Sequence, residues 1–311
     1  MLSRRNVRVK VMQLLYARRQ DEALGDAGAR RAFRTMIDQS YATLLFDLAS
    51  FCRILRESRE EQRRRRKRLR PSAEDKAFRS RLYDNPLVLA LAGAPELRRA
   101  AERYGFADLT DEERIRGFYK VAAATDPAQV LATAEEGDEA LALQALLSAH
   151  KALIDEEDYD DYLEDRFSRW QEDKSLVVGA AKKILKALPQ SAAVLSTYRP
   201  DDATVEGFGE ALLDYVLSHD AELMRHIEPV LLNWDPERLA TLDLVLLKMA
   251  LGELLIFPKI PPKVTLNEYV ELAKSYSTEK SREFVNGVLD RLLHTLRDEG
   301  LIVKEGRGLV E

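Results

Sequence analysis

The sequence predicts an all-α protein, and three observations carry that prediction. Helical periodicity recurs along nearly the whole chain, and no stretch shows convincing period-two alternation. Proline- and glycine-bearing breaks then cut the periodic runs into helix-sized pieces. At 311 residues the chain exceeds one typical domain, so two compact units are expected. Apolar residues make up 46% and charged residues 32%, the balance of a folded chain rather than a disordered one. The single cysteine, Cys52, excludes an intramolecular disulfide and fits a reducing compartment. The start, M-L-S-R-R-N-V-R-V-K, has no apolar signal region, and no apolar run reaches membrane-spanning length. A cytoplasmic protein without a membrane partner is the expectation.

The elements follow in order. A first helix spans about residues 4–20, and a long second one runs from about Ala29 towards Arg68. Tyr41, Leu44, Leu48, Phe51 and Leu55 form the apolar stripe of the second. Beyond Leu55 that stripe fades into R-E-S-R-E-E-Q-R-R-R-R-K-R-L-R, which has no core face and ends at Pro71. Helix starts follow at Asp84-Asn85-Pro86, Gly93-Ala94-Pro95 and Thr110-Asp111-Glu112-Glu113. Further breaks at Thr125-Asp126-Pro127, Leu188-Pro189 and Arg199-Pro200 divide residues 84–200 into short helices. A final bundle begins near Thr204, with helices starting near Asp220, Asp235-Pro236, Thr265 and Ser277. The expected division is therefore a basic helical region at 1–81, a helical insertion at 82–203, a helical bundle at 204–300 and a tail at 301–311. Tyr159, Leu163, Phe167 and Trp170 match Leu223, Ile227, Leu231 and Trp234 in spacing, 64 residues apart. A duplicated hairpin and a coincidence of two amphipathic helices both account for that match.

Net charge is −5, yet residues 1–81 hold 22 Lys/Arg against 10 Asp/Glu. An acidic chain with one strongly basic region carries the electrostatic footprint of nucleic-acid binding, a solvated helix face being the plain alternative. Arg4, Arg5 and Arg8 fall within the first two turns of the first helix, where guanidinium forks suit phosphate contacts. The run Arg63, Arg64, Arg65 and Arg66 is a second candidate, for non-specific nucleic-acid contact or for no specific partner at all.

Residues 264–290 read V-T-L-N-E-Y-V-E-L-A-K-S-Y-S-T-E-K-S-R-E-F-V-N-G-V-L-D, two helices joined by a Ser/Thr turn. Thr265 with Glu268 fits a capping box for the first helix. Leu266, Tyr269, Val270, Leu272, Ala273 and Tyr276 give it a broad apolar face, opposite Asn267, Glu271 and Lys274. Gly287, inside the second helix, costs about 1 kcal/mol against alanine and suggests a close backbone approach.

This stretch resembles the C-terminal signature of the NusB transcription antitermination family, N-E-x-V-E-L-A-K followed by F-V-N-G-V-L-D. Residues 4–16, R-R-N-V-R-V-K-V-M-Q-L-L-Y, are similar to that family's arginine-rich first helix. Residues 238–257, R-L-A-T-L-D-L-V-L-L-K-M-A-L-G-E-L-L-I-F, are similar to its central helix. The resemblance covers about twenty residues at the start and about one hundred at the end, so the chain looks like a long form with a large helical insertion. It implies a NusB-like two-subdomain helical bundle that pairs with the NusE small-subunit ribosomal protein on single-stranded boxA-type RNA. Entry into an RNA polymerase antitermination complex that supports ribosomal RNA transcription is implied as well.

By residue, the resemblance implies RNA contact through Arg4, Arg5 and Arg8, with Arg8 best aligned and Asn6 standing where some relatives carry another arginine. It places Phe284 beside the RNA path next to Lys274, where a ring face can stack on an unpaired base. Spacing alone makes Phe284 a core aromatic, with Val288 and Leu292 at i+4 and i+8. An acidic residue at the position of Asp243 implies a contact with NusE; from residues alone, a carboxylate among leucines is either solvent-facing or held by a partner. Tyr16 matches a tyrosine that lies towards the same protein, and a structural tyrosine is the other reading.

No catalytic constellation is expected. His150, His219, His226 and His294 lack metal-ligand spacing, and no dinucleotide, P-loop or zinc-protease motif occurs, so no metal or cofactor is predicted. Two other classes compete with the antitermination reading. One is a helical protein-docking adaptor. The other is an RNA-binding domain of the type fused to an RNA cytosine methyltransferase, although only 21 residues follow the signature.

Overall fold

A computed structural model describes residues 2–21, 23–105, 111–134, 138–231 and 240–309. All regular structure among them is helical, and no strand occurs. Helix α1 (Arg4–Gln20) and the long α2 (Asp26–Arg66) come first. They are followed by α3 (Ala73–Ala77), α4 (Pro86–Ala92), α5 (Pro95–Tyr104), α6 (Glu112–Ala123) and α7 (Asp126–Thr133). Next are α8 (Glu139–Ile154), α9 (Glu157–Arg166), α10 (Trp170–Lys186) and α11 (Gln190–Ala193). The short α12 (Asp202–Thr204) runs through a π-helical turn at Val205–Glu210 into α13 (Ala211–Ser218). Then come α14 (Asp220–Ile227), α15 (Thr241–Ile256), α16 (Pro262–Tyr276) and α17 (Ser281–Asp298).

Two compact units emerge, one of residues 38–199 and one of residues 2–37 with 200–311. The expected boundary at 81/82 is not where packing changes. It was drawn where basic charge ends, whereas α2 passes from one unit to the other at 37/38. At the other end the expected boundary at 203/204 lies four residues from the observed one.

In the unit of residues 38–199, α8 packs against α4, α6, α7, α9 and α10. Its centre is polar as well as apolar. Buried Asp47 accepts from Tyr159 Oη at 2.9 Å and lies 2.9 Å from His150 Nε2, so its carboxylate is satisfied within the core. Asn85 caps α4 through Val88 N at 3.0 Å, and Asp111 caps α6 through the amides of Glu113 and Arg114, as the start signals predict. Thr110 of that signal lies outside the described residues. So do the predicted start at Asp235-Pro236 and Trp234 of the 64-residue match, whose two halves fall in different units.

In the other unit α15 is the central element, packed against α1, α13, α14, α16 and α17. Leu244 to Leu254 are buried without a break, the pattern of a helix enclosed on all sides. Gly252 lets α13 approach it: a Cβ there would lie 3.2 Å from Tyr215 Cδ1 and 3.4 Å from Val216 Cγ2. Gly209 is tighter, because a Cβ would fall inside contact distance of the buried Phe33 ring and the Val7 methyl. Gly209→Ala should therefore destabilise this unit by about 1–3 kcal/mol through overpacking, read as a lower urea midpoint. An unchanged midpoint would mean that the packing around α1 is looser than described.

Three local expectations are corrected. Helix α16 begins at Pro262, not Thr265, because Pro261 stays extended and Pro262 has a backbone suited to the first helical position. Thr265 is fully buried one turn in, and its hydroxyl serves another partner. Tyr276 is 49% exposed rather than part of the apolar face. Gly287 is solvent-facing, and a Cβ there would meet nothing within 4 Å, so no close approach explains it.

Candidate nucleic-acid interface

Helix α1 is held at its start by a capping box. Asn6 N donates to Ser3 Oγ at 3.4 Å, and Ser3 N donates to Asn6 Oδ1 at 3.0 Å. The asparagine that thins the arginine cluster thus has a local task. The cap fixes the first turn, and with it the directions of Arg4, Arg5 and Arg8.

Those three arginines line one groove with Ser3, Lys259, Ile260, Pro261, Val264 and Glu268, enclosing about 560 Å³. Arg4 is exposed, its guanidinium carbon 5.4 Å from the centre of the Phe208 ring. Lys259 is exposed on the proline-bounded turn between α15 and α16. Arg5 donates from Nε to Glu268 Oε2 at 3.0 Å. Arg8 differs from both. It is 2% exposed and grips Glu253 with two parallel bonds, Nε to Oε2 and Nη2 to Oε1, each 2.7 Å.

Glu253 is the hub of this cluster. Besides Arg8, Thr265 Oγ1 donates to Oε1 at 2.9 Å and Tyr269 Oη donates to Oε2 at 3.0 Å. Four donors on one fully buried carboxylate tie α1, α15 and α16 together. Burial opposes the Arg8 charge, yet the hydrogen bonds and charge of Glu253 outweigh it and raise the guanidinium above its ordinary pKa. Burial, then the adjacent Glu253 charge, pushes the Tyr269 phenol well above its usual range. The C-terminal end of α15 is capped by Lys304, whose Nζ donates to the carbonyls of Leu254 and Phe257 at 2.9 Å each. Burial depresses the pKa of Lys304, and the charge of Glu253 opposes that shift.

The structure alters the expected roster. Arg4 and Arg5 present cations to solvent, whereas Arg8 is turned inward as the anchor of α1. Lys274 is exposed near the end of α16, but neither it nor Phe284 lines the groove. Phe284 is 9% exposed, and Val285, Val288 and Leu289 of α17 are buried with it, so the core reading of its spacing prevails over an open stacking face. Asp243 is buried too. Its Oδ1 accepts from Ser277 Oγ at 2.7 Å and its Oδ2 from Ser281 Oγ at 2.8 Å. The carboxylate thereby fastens the turn between α16 and α17 rather than facing outward. Tyr16 is 41% exposed on α1.

The second basic candidate lies in the other unit. Arg63 pairs with Glu60 at 2.7 Å, Arg64 with Glu57 at 2.8 Å, and Arg65 with Glu61 at 2.7 Å while lying over the Phe78 ring. Arg66 is exposed. Local glutamates at helical spacing thus neutralise much of a run that looks uniformly cationic in sequence.

Sequence reasoning missed Lys259 and Glu253, and read Glu268 only as part of a cap. Glu253 carries a legible signal, a second carboxylate within the leucine-rich α15. The only hint at Lys259 is a cation held between prolines.

Among the described residues, no cluster of His, Cys, Asp or Glu could hold a metal ion, and no helix is long and apolar enough to cross a membrane. The NusB family model matches residues 179–294. The chain is 44% identical over 110 residues to the transcription antitermination protein NusB of Salinibacter ruber, covering 35% of this chain and 69% of that protein. It is 40% identical over 115 residues to the protein of the same name from Geobacter sulfurreducens, covering 37% and 83%. It is 37% identical over 110 residues to that of Chloroherpeton thalassium, covering 35% of this chain and about half of the relative, 52%. No solved structure matches. Helix α1 and most of the unit of residues 38–199 lie outside the stretch that the family model matches.

Proposed function

Because this chain belongs to the NusB family, we propose that it binds single-stranded boxA-type RNA and pairs with the NusE ribosomal protein in transcription antitermination of ribosomal RNA genes. The observation that carries the RNA reading is the groove beside α1. It gathers Arg4, Arg5 and Lys259 against the single carboxylate of Glu268, with Arg8 already neutralised by Glu253. Phosphates supply much of the affinity in such a groove, and unstacked bases supply sequence discrimination. Pro261 and Val264 offer apolar contact beside the cations. Exposed Lys274 is assigned a backbone contact beyond the groove.

Tyr16 is assigned to the NusE side, supported by its exposure on α1. Arg63 to Arg66 are assigned a lesser, sequence-independent contribution, since three of the four are already paired. The role is that of a cytoplasmic, non-enzymatic factor which delivers the RNA and its ribosomal protein to the transcribing polymerase.

The test is an electrophoretic shift of boxA and scrambled RNA by the full chain, with and without NusE. Preference for boxA that strengthens with NusE is expected, and equal weak binding of both RNAs would overturn the reading. Replacing Arg4, Arg5 and Lys259 together by glutamine should flatten the dependence of log affinity on log salt by about 2, at about 0.7 for each lost phosphate contact on a single strand. An unchanged slope would remove the groove from the RNA path.

A further inference from the structure

We propose that Glu268 is an intramolecular competitor of the RNA backbone, occupying the phosphate position on Arg5 until RNA displaces it. The inference deepens the RNA-binding reading above and rests on it.

The groove holds three solvent-facing cations and one carboxylate, and that carboxylate sits on a cation. Glu268 Oε2 lies 3.0 Å from Arg5 Nε and 3.5 Å from Arg8 Nη1, bridging the exposed arginine and the buried one. The Arg5 and Glu268 side chains are 52% and 24% exposed, so water and solutes reach the pair. Exposed ion pairs contribute little to stability, and this one can open without loss of the fold. Arg8 does not depend on Glu268, because Glu253 already takes two of its donors in buried bonds.

A phosphodiester oxygen offers Arg5 the same charge-assisted contact that a carboxylate oxygen does. The two anions therefore compete for one donor set. Within the groove the Glu268 carboxylate also repels any phosphate brought alongside. The resulting device lowers affinity for every RNA alike. Discrimination is left to base contacts, and weakly held RNA is shed.

Glu268→Gln keeps the side-chain length and an acceptor oxygen while removing the charge. The expected result is RNA binding about three- to tenfold tighter at low salt, for boxA and scrambled RNA alike, with the gain shrinking as salt rises. In an Arg5→Gln background the same change should yield at most half of that gain, because the contested donor is gone. Circular dichroism and the thermal midpoint of each variant establish that the fold is retained. Wild-type chain that binds RNA while Glu268→Gln binds no tighter would overturn the competitor role and leave the RNA reading intact. A full gain that persists without Arg5 would also overturn it, reducing the effect to general charge. Wild-type chain that binds no RNA would overturn the underlying reading itself.

Discussion

Glu253→Ala should lower the stability of the unit formed by residues 2–37 and 200–311 by about 3–5 kcal/mol, the usual cost of breaking a buried ion pair from one side. The substitution leaves the Arg8 guanidinium inside the protein with only Glu268 nearby, at 3.5 Å and half-buried. It also strips the acceptor from the Thr265 and Tyr269 hydroxyls, and each buried donor so orphaned adds its own desolvation cost. Hydrogen exchange on α1 and α15 separates this unit from the other and should show both helices losing protection together. A change below about 0.5 kcal/mol would show that the four-donor cluster does not anchor α1. Replacing both partners, Arg8→Met with Glu253→Leu, should be far milder, since no charge is then left alone in the core.

Phe284→Asp and Asp243→Lys are expected to damage the fold before they report on any partner. Phe284 shares the buried face of α17 with Val288 and Leu292, so aspartate there forfeits aromatic burial and places a carboxylate in apolar surroundings. A loss of about 3–5 kcal/mol follows. Asp243→Lys removes the acceptor for Ser277 and Ser281 and sets an ammonium against two hydroxyls in a buried turn, at a cost of about 2–4 kcal/mol. Lower urea midpoints and lost amide protection in α16 and α17 should accompany both changes. Either variant retaining wild-type stability would mean that its side chain is not enclosed as described. Tyr16→Ala is the cleaner probe of a protein partner, because its ring is already 41% exposed.

These corrections share one physical cause. The chain's helical character, the span of α1 and α2, and the caps at Asn85 and Asp111 were legible because each depends on neighbours within a turn or two. Phe284 was legible in part, since its own i+4 and i+8 partners marked it as core. The pairing of Arg63 to Arg65 with nearby glutamates was overlooked, although their three- and four-residue spacings place such ion pairs on one helix face.

Tertiary structure alone decided which cations face water. Arg5 and Arg8 stand three residues apart on one helix, yet one is exposed and the other buried, because Glu253 lies 245 residues away in sequence and 2.7 Å away in space. Asp243 took an internal role for the same reason, its partners being the turn serines brought back by α16 and α17. Read alone, the chain revealed its helical class, its family resemblance and its uneven charge. Whether a given charge is exposed or paired depends on distant segments that chain order does not bring together, and only packing around α15 supplied them.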